Sequence, residues 1–164
     1  MANIVIENAE ILPGRWRNFS GRPTTFNRDG GKRVFNIIFG ADMAQKLTAE
    51  GYNVKEMKPR EGDDAEEPRF RLEISLKYGY RPPRVVQITS DGGRVPLNET
   101  TVGVLDYARI QNADIEIRPY DYDFNGRQGR KAYLKTMYIS IETSELDEKY
   151  GYFDMEEPAP EEDF

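Results

Sequence analysis

The sequence is 164 residues long and contains neither cysteine nor histidine. Disulfides, thiol chemistry, Cys/His zinc sites and histidine general bases are thereby excluded, leaving only all-oxygen metal sites open. The formal charge of −6 divides unevenly: residues 143–164 hold nine acids and one lysine, residues 61–67 hold five acids and no base, and the rest of 1–142 carries 22 basic against 15 acidic side chains, a net of +7.

That asymmetry points to a body that meets an anion and to a separate acidic appendage. A body of about 140 residues buries roughly two-thirds of its unfolded surface, so one domain, 1–142, followed by a tail, 143–164, is expected. The first residues lack the basic start and long apolar run of a secretory signal. No stretch reaches the length of a membrane span, and a cytoplasmic location without a membrane partner is expected.

Ile4 and Ile6 alternate within 3–12, a strand that Pro13-Gly14 ends. Arg15 to Phe19 interleaves cations and rings up to the break at Gly21-Arg22-Pro23. Residues 27–32 carry an Asp-Gly turn signal, and 34–39, rich in β-branched and aromatic residues, is a strand. Asp42 is placed as the cap of a helix over 43–50, with Met43 and Leu47 one turn apart and Gly51 as its stop. A short strand falls within 52–57, and the acidic, proline-bearing 59–68 reads as an exposed loop. In 69–78, Phe70, Leu72, Ile74 and Leu76 alternate with Arg69, Arg71, Glu73, Ser75 and Lys77, the pattern of a half-buried antiparallel strand.

Another strand spans 84–89, turned by Ser90-Asp91-Gly92-Gly93, and 98–108 is ambiguous, with a short helix as one reading. Residues 113–124 and 130–141 form a long hairpin about Asn125-Gly126. In its second strand Met137, Ile139 and Ile141 share one face while Leu134 falls on the other, which a bulge near 130–134 would reconcile. The chain is therefore expected to be mainly β, an OB-fold-like Greek-key barrel with one short helix, rather than a sandwich. From Ser144 onward the pattern is lost, and an acidic segment with Pro158 and Pro160 is expected to be a disordered tail.

Three stretches combine cations with aromatic rings, the mixture that single-strand binders use to follow phosphates and stack bases. The first contains Arg15, Trp16, Arg17, Phe19, Arg22, Arg28, Lys32 and Arg33; the alternative is that Trp16, Phe19 and Phe26 cap the core. The second is Lys77, Tyr78, Tyr80, Arg81 and Arg84 at a strand end, where tyrosines also pack with wet hydroxyls. The third is the hairpin, with Tyr120, Tyr122, Arg127, Arg130, Lys131 and Lys135; Asp121 and Asp123 count against a phosphate-facing role, and the alternative is a contact with a second copy. A fourth element is Glu161, Glu162, Asp163 and Phe164, where acids beside a terminal ring suit a basic, apolar groove on a partner protein; such a tail could also fold back on the basic body or serve solubility.

Motifs for catalysis are missing. There is no Gly-rich phosphate loop and no nucleophile elbow, so no enzyme activity and no cofactor are expected. Asp114, Glu116, Asp121 and Asp123 could hold a metal pair for a nuclease, but alternating acids on a strand are more often solvated.

The opening Asn3-Ile4-Val5-Ile6-Glu7-Asn8-Ala9, the segment Arg17-Asn18-Phe19-Ser20-Gly21-Arg22-Pro23 and Phe26-Asn27 resemble the start of single-stranded DNA-binding proteins of tailed bacteriophages. The Phe-terminated acidic tip is similar to the ends of bacterial and phage proteins of that kind. The resemblance implies an OB-fold, protection of single-stranded DNA in replication and recombination, and contact with replication or recombination proteins through the tail. A homodimer is compatible with it. The reading from another class is an interaction adaptor or inhibitor whose acidic tail mimics nucleic acid.

Overall fold

The computed structural model describes residues 2–24, 28, 30–57, 67–79 and 81–142. The acidic loop 58–66, Tyr80, Phe26 and the tail, including Glu161, Glu162, Asp163 and Phe164, lie outside the described residues. Among the described residues ten strands run β1 (Ile4–Ile6), β2 (Glu10–Ile11), β3 (Arg17–Asn18), β4 (Arg33–Phe39), β5 (Lys55–Met57), β6 (Arg69–Leu76), β7 (Arg84–Ile88), β8 (Arg94–Leu97), β9 (Ile110–Phe124) and β10 (Arg127–Ile141). Helix α1 (Ala41–Ala49) sits between β4 and β5, and short 3-10 turns occupy Gly14–Trp16 and Val102–Asp106.

The strands form one sheet whose main path is β1-β9-β10-β6-β4-β2. Its two ends are consecutive in the chain. Ile4–Ile6 pair with Ile117–Ile115 of β9, and four residues after Ile6, Glu10 and Ile11 pair with Ile38 and Ile37 of β4. The change of partner happens at Asn8, whose φ of 56° lies in the left-handed region that asparagine tolerates better than most residues. Its N–H donates to the Asp114 carboxylate at 2.9 Å, and the Ala9 N–H donates to the Ala113 carbonyl at 2.7 Å. One bent segment thus joins both ends of the curved sheet, the arrangement of an OB-like barrel.

The inner face is built by alternation. Leu72, Ile74 and Leu76 of β6 are buried, as are Phe35 and Ile37 of β4 and Ala113, Ile115 and Ile117 of β9. On β10, Ala132, Leu134, Met137 and Ile139 all point inward, which strict alternation forbids. The expected bulge resolves it, one step further along than the sequence suggested: Leu134 faces Ile117, Thr136 faces Glu116, and the extra residue is Lys135. The hairpin closes at Asn125 (φ 53°) and Gly126 (φ 79°), the pair of left-handed residues that a tight two-residue turn requires.

Two elements differ in detail from expectation. Helix α1 starts earlier, with Gly40 at the cap and Asp42 inside the first turn, where a carboxylate still meets the positive end of the helix. The ambiguous 98–108 contains the 3-10 turn. Two strands were not foreseen. One is β3, which pairs with β4; the other is β8, which includes Pro96 and among the described residues pairs only with β7, an edge position at which a missing N–H is tolerated.

Candidate nucleic-acid interface

The outward residues of β4, β6 and β10 line a continuous trough. Three adjoining cavities make it, and they share walls: Arg71 and Glu73 belong to the first and second, Ser75 and Lys131 to the second and third, and Lys32 to the first and third. Nine cations line these cavities; Arg22, Arg33 and Arg130 are held by Asp106, by backbone carbonyls and by Asp121, and the other six are Arg15, Lys32, Lys55, Arg71, Lys77 and Lys131. A further basic hollow lies between Arg81, Arg84, Arg118 and Lys135, with Asn3 and two prolines on its rim.

Trp16 stands at one end of the trough. The turn that carries it begins with Pro13 and Gly14, whose φ is 66°. The carbonyl of Trp16 accepts from the Asn36 side-chain amide at 3.0 Å, and the Asn36 carbonyl oxygen accepts from Arg71 Nη1 at 2.9 Å. The Arg71 guanidinium thereby lies 4.7 Å from the centroid of the indole, and that of Arg15 lies 4.6 Å from it. Planar cations and an aromatic ring at this spacing attract each other, and both offer flat surfaces on which an unstacked base can lie.

The hairpin carries the rings at the other end. Register places Arg118 opposite Tyr133, Tyr120 opposite Lys131, Tyr122 opposite Gly129 and Phe124 opposite Arg127, so these residues share one face. Tyr120 and Tyr133 rings lie 5.4 Å apart, with Lys77 6.0 Å from Tyr133 and Lys131 6.0 Å from Tyr122. The Tyr122 ring lies across Gly129, where a Cβ would collide with it. Asp121, which alternation sends to the opposite face, is bound there by Arg130 through Nε at 2.6 Å and Nη2 at 3.3 Å. The Arg130 hydrogen bond holds the Asp121 carboxyl below its ordinary value. Arg130 also lies 5.7 Å from the Tyr52 ring at the end of α1, so the pair ties the arm to the body.

The family model of the phage ssDNA-binding domain matches residues 1–161. The chain belongs to this family. No curated protein sequence shows significant similarity to it. Among solved structures it is similar to the single-stranded DNA-binding protein of bacteriophage Enc34 in complex with ssDNA, with a TM-score of 0.53, 11% identity, and coverage of 87% of this chain and 88% of that one. It is similar also to a C-terminal truncation of the Enc34 protein, with a TM-score of 0.54, 12% identity, and 87% of each chain covered. At such identities the likeness concerns the fold, which is OB-like as expected.

Within this phage ssDNA-binding domain, the fold sorts the residues that the sequence singled out. Trp16, Arg15 and Lys32 line the trough, as do Lys77, Tyr78 and Lys131. Tyr120 and Tyr122 stand on the arm with Arg127. Arg81, Arg84 and Lys135 surround the adjoining hollow, and Arg28 is exposed.

Two residues belong elsewhere. Phe19 is fully buried and stacks on Phe35 at 5.1 Å, so neither ring face is open to a base. Arg17 is 4% exposed, and its guanidinium donates to the carbonyls of Leu12, Leu105 and Ala108; burial pulls its pKa down, against the opposing influence of Asp106. It ties the first turn to the 3-10 turn of Val102–Asp106 instead of meeting phosphate.

Arg22 and Arg33 divide their roles. Arg22 pairs with the buried Asp106 carboxylate at 3.0 Å. Arg33 donates to the carbonyls of Phe19 and Glu99. Arg130 is held by Asp121 and also lines the second cavity beside Tyr122. Tyr78 is half-buried, its ring 5.1 Å from the Arg33 guanidinium.

Arg71, Asn36 and Lys55 are trough residues that sequence reasoning passed over. The signal for Arg71 was present, because alternation in β6 had put it on the polar face. Asp114, Glu116, Asp121 and Asp123 do not converge: Asp114 accepts from Asn8, Glu116 from Asn3, and Asp121 from Arg130. Among the described residues no three carboxylates gather at a metal-sized site.

Proposed function

We propose that this protein binds single-stranded DNA without dependence on a defined sequence, along the trough of β4, β6 and β10. One observation carries the reading: Trp16, held beneath Arg15 and Arg71, and the Tyr120–Tyr133 pair flank a floor crossed by Lys32, Lys77 and Lys131. Cations at that spacing can follow a phosphate chain while the rings take successive bases. The three cavities share walls from Trp16 to Tyr133, a path along which a strand can lie, and a duplex offers no unstacked bases to its rings.

Enc34's protein was solved with ssDNA, and family membership extends that ligand to this chain. From the same membership we draw a role in protecting single strands during phage replication or recombination. The acidic residues Glu161, Glu162 and Asp163 with Phe164 are the partner-binding element in this reading. Tail-mediated recruitment would appear as loss of a phage replication protein from a co-purified complex when 143–164 is removed.

Trp16 is the only tryptophan, so its emission reports on the trough directly. Titration with oligo-dT should quench it and raise the anisotropy of a labelled strand, in full-length protein and in a variant ending at Glu142. Matched duplex should do neither at the same concentration. Absence of both signals at low salt would remove the binding reading and leave the adaptor reading in its place.

A further inference from the structure

Two carboxylates line the trough among the described residues: Glu99, 3.9 Å from Arg33 at its rim, and Glu73 on its floor. Glu73 projects from the centre of β6, on the wall shared by the cavity beneath Trp16 and the cavity beneath Tyr122. A site that only gripped phosphates would gain from a neutral or basic residue there, since a carboxylate repels the backbone. Its cation neighbour does not consume it. Lys32 Nζ is 3.8 Å away, beyond hydrogen-bond distance, with the side chains 59% and 46% exposed, a loose pair of the kind worth little. Glu73 makes no hydrogen bond among the described residues, whereas the neighbouring Asn36 amide is spent on Trp16 and Arg71. The floor therefore offers two acceptor oxygens to which no described donor hydrogen-bonds, beside two places where a base can lie flat.

Resting on the single-strand reading above, we infer that Glu73 is a base-edge acceptor that gives the trough a preference for guanine over thymine. The chemistry of the edges decides which base suits it. Guanine presents N1–H and N2–H side by side, a fork that fits both oxygens of a carboxylate in the way a guanidinium does. Cytosine and adenine each offer an amino group beside a ring acceptor. Thymine places one N–H between two carbonyls, which repel the carboxylate. Bases unstacked onto rings are read on these edges.

The test compares strands of equal length, (dT-dG) repeats, (dT-dI) repeats and dT alone, by anisotropy and Trp16 quenching. Inosine keeps the purine ring but lacks the N2 amine, so stacking is nearly constant while the fork is lost. The guanine strand should bind about five-fold more tightly than dT, the lower end of what a base-edge contact discriminates. Inosine should forfeit most of that. Glu73→Ala should bring the guanine-to-inosine ratio close to one while strengthening binding to dT, and Glu73→Gln should lie between. Equal binding of guanine and inosine strands, or an unchanged ratio in Glu73→Ala, overturns the inference and leaves Glu73 a plain repulsive charge. Failure of every strand to bind would instead sink the single-strand reading itself.

Discussion

Salt should report how much of the basic surface a strand engages. Besides Arg22, Arg33 and Arg130, six cations line the sheet trough, and four more, Arg81, Arg84, Arg118 and Lys135, ring the adjoining hollow. For single strands each neutralised phosphate contributes about 0.7 to the slope of log affinity against log salt. Engagement of the trough alone predicts a slope of about −4.2, and of trough plus hollow about −7. Between 50 and 200 mM salt these correspond to losses of about 340-fold and about 16,000-fold. The assay is anisotropy of a labelled oligo-dT at four salt concentrations in that interval. Arg71→Ala should flatten the slope by about 0.7, and the double change Arg81→Ala/Arg84→Ala by about 1.4 if the strand turns into the hollow. A slope shallower than about −1, or one indifferent to Arg71→Ala, would refute the path along β6.

Trp16→Ala should cost about 1–3 kcal/mol of affinity for oligo-dT while leaving the urea midpoint near that of the parent. Phe19→Ala should do the reverse, losing about 3–5 kcal/mol of stability in urea unfolding with the affinity of the folded fraction little changed. Asp121 has a depressed folded pKa, so its contribution is present above its ordinary value of 3.8 and fades as pH falls through the folded one. Asp121→Asn should therefore melt below the parent at pH 7, and the gap should close as the pH is taken below that range.

The two stretches around Arg17 show why parts of the site were legible and parts were not. Alternation in β6 and the Asn125-Gly126 turn follow from local rules, and both appear in the structure where the sequence put them. Arg15-Trp16-Arg17-Asn18-Phe19 carries no comparable rule, since cations and rings beside a turn suit a binding surface and a buried clamp equally. What separates them is the pairing of Arg17 and Asn18 with Phe35 and Val34, a contact with a distant strand. That pairing sends Phe19 into the core and leaves Trp16 outside. Arg71 was visible as a polar-face residue, but its importance depends on Asn36 of the neighbouring strand, which holds it over the indole. The arm's acids looked adverse in the sequence; register puts Asp121 on the far face, where it restrains Arg130.

The bend at Asn8 has a bearing on how the chain comes off the ribosome. Ile4 meets Ile117 in the finished sheet, so the first strand to emerge must wait for nearly the last. Until β9 is clear of the exit tunnel, Ile6 and Ile11 have only part of their shelter, and the apolar faces of β4 and β6 stay half covered. Closing so distant a contact is slow by its nature, and a half-made sheet with open edges invites intermolecular pairing. Closure of the sheet is thus expected to wait until β9 and β10 have emerged, and shifting the chain ends by circular permutation within the exposed residues 98–100, ahead of β9, would put β9, β10 and β1 on one early piece.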